Sequence, residues 1–310
     1  MLRPAVSVVV AFHDMAREAP RTLHTLSAAY QRGVTVADYE VIAVDVGSEP
    51  PLAEGLVRAA GTNLRLLRFP RTPSPAAAIN AAVRQSVGEA VMICIDGARM
   101  LSPGILRLAA AAFRGFADPL VATVSWHLGP KPQHESMLDG YDQQAEDRLL
   151  ESVDWRSDGS RLFRIAALAT SSQAGWLGPI GESNCLVVRR QAWERLGGYD
   201  ERFVSPGGGL VNPDFYRRAC DLLGPPVILL GEGTFHQFHG GVATNASRDI
   251  RPIRTFLQEY KAIRGVSFEP PAGPPTLFGG LVADGLPWLA AATRRPMAQP
   301  PAVQRNSSST

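Results

Sequence analysis

Residues 6–14 read VSVVVAFHD, an apolar, β-branched run that ends in His13 and Asp14. With Pro4 before it and polar residues after it, the run predicts a buried strand over Val6–Ala11. A helix is predicted next, over Ala16–Gln31, and apolar runs then alternate with helical patterns. The later predicted strands are Tyr39–Val46, Asn63–Phe69, Ala90–Ile95 and Leu120–Ser125, and the later predicted helices are Leu52–Ala60, Pro75–Ser86 and Pro103–Phe113.

This alternation of strands and helices predicts an α/β fold. Crossover helices between consecutive strands produce a mostly parallel, Rossmann-like sheet with helices on both faces. After Trp126 the chain becomes polar and irregular as far as Gly178, which indicates a functional loop or short helices. The elements predicted beyond that stretch are the strand Asn184–Arg189 and the helices Gln191–Leu196 and Asp214–Leu223.

Three parts of the chain are expected from these patterns. Residues 1–126 form one half of a domain and residues 127–265 form its second, mixed half. Residues 266–310, with prolines from Pro270 onward and a serine-rich end, are expected to be a partly disordered tail.

Bulk composition excludes several classes of protein. The 31 basic and 29 acidic side chains leave a net charge of +2, which is too small for a nucleic-acid-binding protein. The three cysteines are far apart and predict buried apolar packing rather than disulfides. We expect no signal peptide and no transmembrane helix, because the apolar stretches are too short or are interrupted, and therefore a cytoplasmic protein or one peripheral to a membrane.

Two predicted strands end in an aspartate that is followed closely by glycine. The second strand ends in Asp45-Val-Gly-Ser and the fourth in Asp96-Gly-Ala-Arg. Turn formation alone accounts for either pair taken singly. Ligands of parallel α/β sheets bind beyond the carboxyl ends of the strands, so we expect Asp45 and Asp96 to lie side by side at one rim and to form a cleft.

The ordered set of motifs resembles glycosyltransferase family 2, which has the GT-A fold. Its members transfer a sugar from a nucleoside diphosphate donor to an acceptor hydroxyl, usually with inversion. The resemblance covers roughly residues 5 to 245 and makes residues 1–126 the nucleotide-sugar-binding half and 127–265 the acceptor-side half. The segments that carry it are VSVVVAFHD at 6–14, EVIAVDVGS at 40–48, AIN at 78–80, IDGA at 95–98, GGYDERF at 197–203 and DFYRR at 214–218.

The resemblance also implies a donor site. Asp45 matches the family's nucleoside-binding carboxylate and Asp96 lies near the diphosphate. The donor is expected to be a UDP- or GDP-sugar, and the acceptor, which the sequence does not identify, to be a glycan or a lipid-linked sugar. The donor-binding residues implied are Ala11, His13, Asp45, Asn80, Asp96 and Arg99.

The charge that balances the diphosphate is open to two interpretations. Asp96 matches the first carboxylate of the family's Asp-any-Asp cation site, whereas Ala98 replaces the second. In one interpretation Mg²⁺ or Mn²⁺ is held by Asp96 and His239, which matches a late metal-binding histidine of some GT-A enzymes. In the other, the guanidinium of Arg99 partly replaces the cation, because it forks onto phosphate oxygens and stays charged. His236, three residues before His239, is a weaker candidate.

The catalytic base also departs from the family pattern. The usual carboxylate falls where this chain has Asn212, which cannot accept a proton. Asp214 and Glu182 are the two candidate bases. These departures leave a second hypothesis open, a GT-A domain that binds a nucleotide sugar or glycan without turnover. A nucleotidyltransferase is a weaker third hypothesis, because residues 11–17 lack the glycine-rich basic loop which that class requires.

Overall fold

The computed structural model describes residues 4–241 and 252–293. Its ten strands, among these residues, form a single mixed sheet. The strands are β1 Val6–Phe12, β2 Tyr39–Val46, β3 Leu64–Phe69, β4 Ala90–Cys94, β5 Arg99–Leu101, β6 Val121–Leu128, β7 Ala166–Leu168, β8 Cys185–Arg189, β9 Val227–His236 and β10 Thr276–Gly279.

The α-helices connect these strands and cover the sheet. They are α1 Ala19–Thr25, α2 Glu54–Ala60, α3 Ala76–Arg84, α4 Ile105–Gly115, α5 Gln133–Ser136, α6 Gln143–Glu151, α7 Arg190–Leu196, α8 Val211–Leu223, α9 Ile253–Arg264 and α10 Leu286–Thr293.

The strand order is β10-β9-β6-β8-β4-β1-β2-β3, with β5 paired to β9 and β7 paired to β6. Within the main path, only β8 runs antiparallel to its neighbours. The first four strands are joined through helices in the predicted manner, and β2 has the predicted bounds. The predicted mostly parallel α/β sheet with a mixed second half is therefore confirmed.

Two apolar cores lie on opposite faces of the sheet, because successive strand residues point to opposite sides. On β1, Val9 belongs to one core and Val10 to the other, and both are fully buried. Leu23 of α1 packs on the Val10 side, whereas Ile79 of α3 packs on the Val9 side. The helices on both faces therefore follow directly from the near-continuous apolar strands.

The segment expected to be a partly disordered tail contains a strand and a helix within residues 276–293. Strand β10 pairs in parallel with β9, as shown by Thr276 opposite Val227. Farther on, the indole Nε1 of Trp288 donates a hydrogen bond to the carbonyl of Phe163, and the ring packs 4.8 Å from that of Trp126. The prolines interrupt the chain before β10 without preventing it from adding to the sheet edge. Residues 294–310 lie outside the described residues.

Within residues 4–241 and 252–293, no helix has the length and apolar character needed to cross a membrane.

Candidate active site

The carboxyl ends of β4 and β9 meet at one rim of the sheet. β5 pairs with the last residues of β9, which ends at His236, and so joins the two strands. β8 begins at this rim because it runs the other way, with Cys185 opposite Cys94. The loop before β8, which contains Glu182, therefore lies beside the loop after β4, which contains Asp96.

Three side chains with metal-ligating atoms converge at this rim. The Nε2 atom of His236 lies 3.0 Å from Oδ2 of Asp96, and Nε2 of His239 lies 3.8 Å from Oδ1. The two Nε2 atoms are 3.2 Å apart. The potential ligand atoms of Asp96, His236 and His239 all lie within 4.8 Å of one another. One carboxylate and two imidazoles form a ligand set that suits a divalent transition-metal ion.

The contacts of His236 fix the orientation of its ring. The side-chain amide of Gln133 donates to the carbonyl of His236, so its oxygen is left to accept from Nδ1 of the same residue at 2.7 Å. A neutral ring with the proton on Nδ1 directs the Nε2 lone pair toward Asp96 and His239. The Nε2 atom of such a ring is the one that would bind a metal ion, so the arrangement fits a metal ligand.

The protonation states also fit metal binding, since ligands must be deprotonated. Burial lowers the pKa of His236 to about 4, although the neighbouring Asp96 opposes this shift. Burial acts to raise the pKa of Asp96, but the charges of His239, His236 and Arg99 outweigh it and hold that pKa well below its usual value. At neutral pH the site therefore presents a carboxylate and a neutral imidazole.

Ala98 offers no side-chain ligand atom, but other residues bring potential ligand atoms to this site. Its backbone N–H donates to Oδ1 of Asp96 at 3.0 Å, and its side chain is fully buried. The additional ligand atoms come from the end of β9 and the residues that follow it. The geometry brings Asp96 and His239 together as expected, and His236, the weaker candidate, lies with them. In the sequence, the signal for this pair of imidazoles is the spacing of two histidines three residues apart, at 236 and 239.

Arg99 is a buried cation beside this cluster. It lies on β5, is 5% exposed, and places Nε 3.5 Å from Oδ2 of Asp96. Among the described residues, its Nε and Nη1 atoms have no hydrogen-bond partner. A buried guanidinium with unused donors is costly, and the forked donor pattern matches phosphate oxygens. Arg99 is therefore placed to meet an anionic ligand at the rim.

Asp45 does not present a free carboxylate at a shared rim. It is 2% exposed, and its two oxygens accept hydrogen bonds from the backbone N–H groups of Ser48 and Leu52, at 3.0 and 2.9 Å. The side chain therefore stabilises the turn after β2, where Gly47 has a φ of +63°. The expected pair of exposed carboxylates, Asp45 beside Asp96, is not what the structure presents.

The other predicted donor-binding residues differ in accessibility. His13 has a 40% exposed side chain, and its Nδ1 lies 2.7 Å from the carbonyl of Val46. Ala11 is 4% exposed at the end of β1. The side-chain amide of Asn80 is occupied by protein contacts. Its NH₂ group donates to the carbonyl of Tyr199 and to the carboxylate of Glu201, and its oxygen accepts from the backbone N–H of Tyr199. In this conformation Asn80 holds the GGYDE turn of residues 197–201.

The two candidate bases have contrasting surroundings. Asp214 is fully buried and forms ion pairs with Arg218 and Arg264 at 2.8 and 2.6 Å. Glu182 is partly exposed and lies at the rim, next to Ser183, whose carbonyl accepts a hydrogen bond from Asn212. The two carboxylates thus differ: Asp214 is buried in ion pairs, whereas Glu182 is partly exposed in the loop before β8.

The family model described as "Glycosyl transferase family 2" matches residues 7–170, more than half of the chain. The chain belongs to glycosyl transferase family 2. The prediction of this family is confirmed, and the matched range includes β1 to β7 with Asp96 and Arg99.

Solved structures support the fold of this family 2 protein. The structure of S. aureus TarS matches with a TM-score of 0.52 and 14% identity, over 77% of this chain and 37% of TarS. TarS 1-349 in complex with UDP-GlcNAc matches with a TM-score of 0.54 and 15% identity, over 84% and 67% of the two chains. This chain thus spans little more than a third of the full TarS chain. No curated protein matches its sequence.

Proposed function

We propose that this family 2 protein transfers a sugar from a nucleoside diphosphate donor, a UDP- or GDP-sugar, to an acceptor hydroxyl with inversion. The observation that carries the proposal is the convergence of Asp96, His236 and His239 beside the buried Arg99. Potential metal ligands lie at the carboxyl ends of parallel strands, beside an arginine that has hydrogen-bond donors without partners. This combination suits a diphosphate. TarS 1-349, which shares the fold, binds UDP-GlcNAc.

Asp96, His236 and His239 would hold a divalent cation. Of the two ions expected, Mn²⁺ suits the two imidazoles better than Mg²⁺, which prefers oxygen ligands. Such an ion would neutralise the charge that develops on the leaving diphosphate. Arg99 supplies a second, permanent positive charge, and its Nε and Nη1 atoms have no hydrogen-bond partner among the described residues. The two expected sources of charge therefore act together rather than as alternatives.

Glu182 is the proposed catalytic base. The acceptor oxygen forms a bond to the anomeric carbon while the bond from that carbon to the diphosphate oxygen breaks, and the hydroxyl proton passes to the carboxylate of Glu182. Attack on the face opposite the leaving group inverts the anomeric centre. Asp214, enclosed by Arg218 and Arg264, instead stabilises the packing of α8 against α9.

The nucleoside is proposed to bind at the ends of β1 and β2, with the exposed ring of His13 as a contact. The position of Ala11 at the end of β1 would bring backbone groups close to the donor. Asp45 would act indirectly, because its carboxylate is committed to the Ser48 and Leu52 N–H groups that shape the turn. Asn80 would likewise support the acceptor side by holding Tyr199.

A panel of UDP- and GDP-sugars tests the proposal. Donor binding by calorimetry and donor hydrolysis are measured with Mn²⁺ and with chelator, for the wild type, Glu182→Gln and Asp214→Asn. We expect donor binding with turnover, a loss of turnover but not of binding in Glu182→Gln, and reduced stability in Asp214→Asn. Failure of every donor to bind would refute the proposal.

A domain that binds without turnover is the second candidate. One observation favours it: Asn212, at the position of the usual base, is buried and hydrogen-bonded to Tyr199 and Ser183. Donor binding without hydrolysis by the wild type, over all donors of the panel, would favour this candidate over catalysis by Glu182.

A further inference from the structure

Phe238 separates the two histidines of the cluster, and charged side chains bind both of its backbone polar groups. Its N–H donates to Oε2 of Glu146 at 2.6 Å, and its carbonyl accepts from Nη1 of Arg17 at 3.2 Å. The backbone between His236 and His239 is therefore held from both sides by side chains that belong to distant elements.

Glu146 lies on α6 and is fully buried. Its second oxygen, Oε1, accepts from Nη1 of Arg17 at 3.2 Å, so the carboxylate bridges Arg17 and Phe238. Arg17 also donates to Glu18 and to Asp147. A buried carboxylate satisfied in this way has few alternative partners, so it restrains the backbone that it contacts.

Helix α1, which begins shortly after Arg17, holds the segment after Asp96. The hydroxyl of Thr22, on α1, donates to the carbonyl of Gly97 at 2.6 Å and accepts from the side-chain amide of Gln237 at 3.0 Å. The backbone N–H of Gln237 donates in turn to the carbonyl of Ala98 at 2.8 Å. The segment after Asp96 is therefore linked to α1, and the segment of residues 236–239 is linked to both α1 and α6.

We infer that Glu146, acting with Arg17, is a positioning residue for the cation site: by clamping the backbone of Phe238 it fixes where His239 lies relative to Asp96 and His236. The inference rests on the proposed function, which places a divalent cation there. Residues that orient metal ligands without touching the metal commonly affect metal affinity about 10-fold to 100-fold when they are mutated. Glu146 and Arg17 act through hydrogen bonds to the ligand-bearing segment, which is the same physical effect.

The chain offers a matched control. Asp147 is the neighbour of Glu146 on α6 and also pairs with Arg17 and Arg21, whereas the backbone N–H of Phe238 donates to Glu146. Glu146→Gln and Asp147→Asn each replace a carboxyl group beside the same arginines with an amide. Only the first replaces the carboxylate that bridges Arg17 and Phe238 with an amide that directs an NH₂ group at one of these donors.

The experiment measures the dissociation constant of Mn²⁺ on the full chain without donor, from the electron paramagnetic resonance signal of free Mn²⁺. We expect Glu146→Gln to weaken binding about tenfold, and Asp147→Asn to stay within about twofold because it leaves Phe238 untouched. Equal weakening in both variants, or wild-type affinity in Glu146→Gln, would overturn the inference.

Two further variants keep the test decisive. Arg17→Lys keeps the positive charge but loses the fork, so it should also weaken Mn²⁺ binding if Glu146→Gln fails to fold; unchanged affinity in folded Arg17→Lys would then overturn the inference. Asp96→Asn reports on the site itself. If the wild type binds Mn²⁺ no better than Asp96→Asn, the proposed cation site fails together with the inference. Wild-type binding that depends on Asp96 but not on Glu146 refutes the inference alone.

Discussion

The ends of β2 and β4 look alike in sequence but differ in structure. Each delivers an aspartate near a glycine to the carboxyl rim of the sheet. Asp45 directs both oxygens at backbone N–H groups of its own turn, whereas Asp96 uses one oxygen for Ala98 and directs the other at His236. The carboxylate of Asp96 faces the histidines of a second element, whereas the carboxylate of Asp45 stabilises its own turn.

The largest effect is expected from a substitution at the end of β4. Asp96→Asn should lower kcat/KM for sugar transfer by about 100-fold or more, because it removes the negative ligand and the cation stabilises the leaving diphosphate. Initial rates with saturating Mn²⁺ measure this. Asp45→Asn is the control at the β2 end and should retain far more activity. Equal losses in the two variants would contradict the assigned difference.

Added metal ion should stabilise a variant at the end of β2 but not a variant at the end of β4. A ligand present at 100 times its dissociation constant stabilises the folded state by about 2.7 kcal/mol. Mn²⁺ should therefore raise the Tm of the wild type and of Asp45→Asn, and chelator should reverse the shift. Asp96→Asn should show no comparable shift in the same thermal scans. A full shift in Asp96→Asn would place the ion elsewhere.

Asp45→Ala should lower the stability of the folded protein. It leaves the N–H groups of Ser48 and Leu52 without their buried acceptor, at a cost of about 1 to 2 kcal/mol in the free energy of unfolding. Urea denaturation of the wild type and the variant measures the difference. A variant of unchanged stability that nevertheless loses donor affinity would restore Asp45 as a direct ligand of the nucleoside.

The smallest effect is expected from Arg71→Ala. The guanidinium of Arg71 pairs with Asp14 at 2.9 Å, and both side chains are more than a third exposed. Exposed ion pairs contribute roughly 0 to 1 kcal/mol, so urea denaturation should show a change of less than about 0.5 kcal/mol. A larger loss would show that the turns after β1 and β3 depend on this pair.

Much of the first half of the fold could be predicted from sequence, because its strands are apolar and uninterrupted. The long strand β9 could not, since Gly231, Glu232 and Gly233 break its apolar pattern. Glu232 is tolerated in the sheet because Ser102 and the N–H of Gly104 donate to its carboxylate. These partners are more than 120 residues away in sequence, and no local pattern reports such a contact.

The site could be predicted only in part for the same reason. Asp96 and His239 were identified as a pair from the family resemblance, and the geometry brings them together. The different fates of Asp45 and Asp96 depend on β5 and β9 pairing beside β4, which local sequence does not encode. The sequence does not distinguish Asp214 from a catalytic base, because the arginines that enclose it, Arg218 and Arg264, become its partners only in the fold.

The reversed direction of β8 has a consequence for how this protein tolerates change. Every other main strand reaches the rim with its last residue and is followed there by a loop, whereas β8 reaches it with Cys185 and is preceded by one. Insertions or deletions between β7 and Glu182 would therefore shift that carboxylate relative to Asp96 while the Cys94–Cys185 register stays fixed. On the proposed function, such changes in loop length would alter the acceptor side and leave the Asp96 cluster in place.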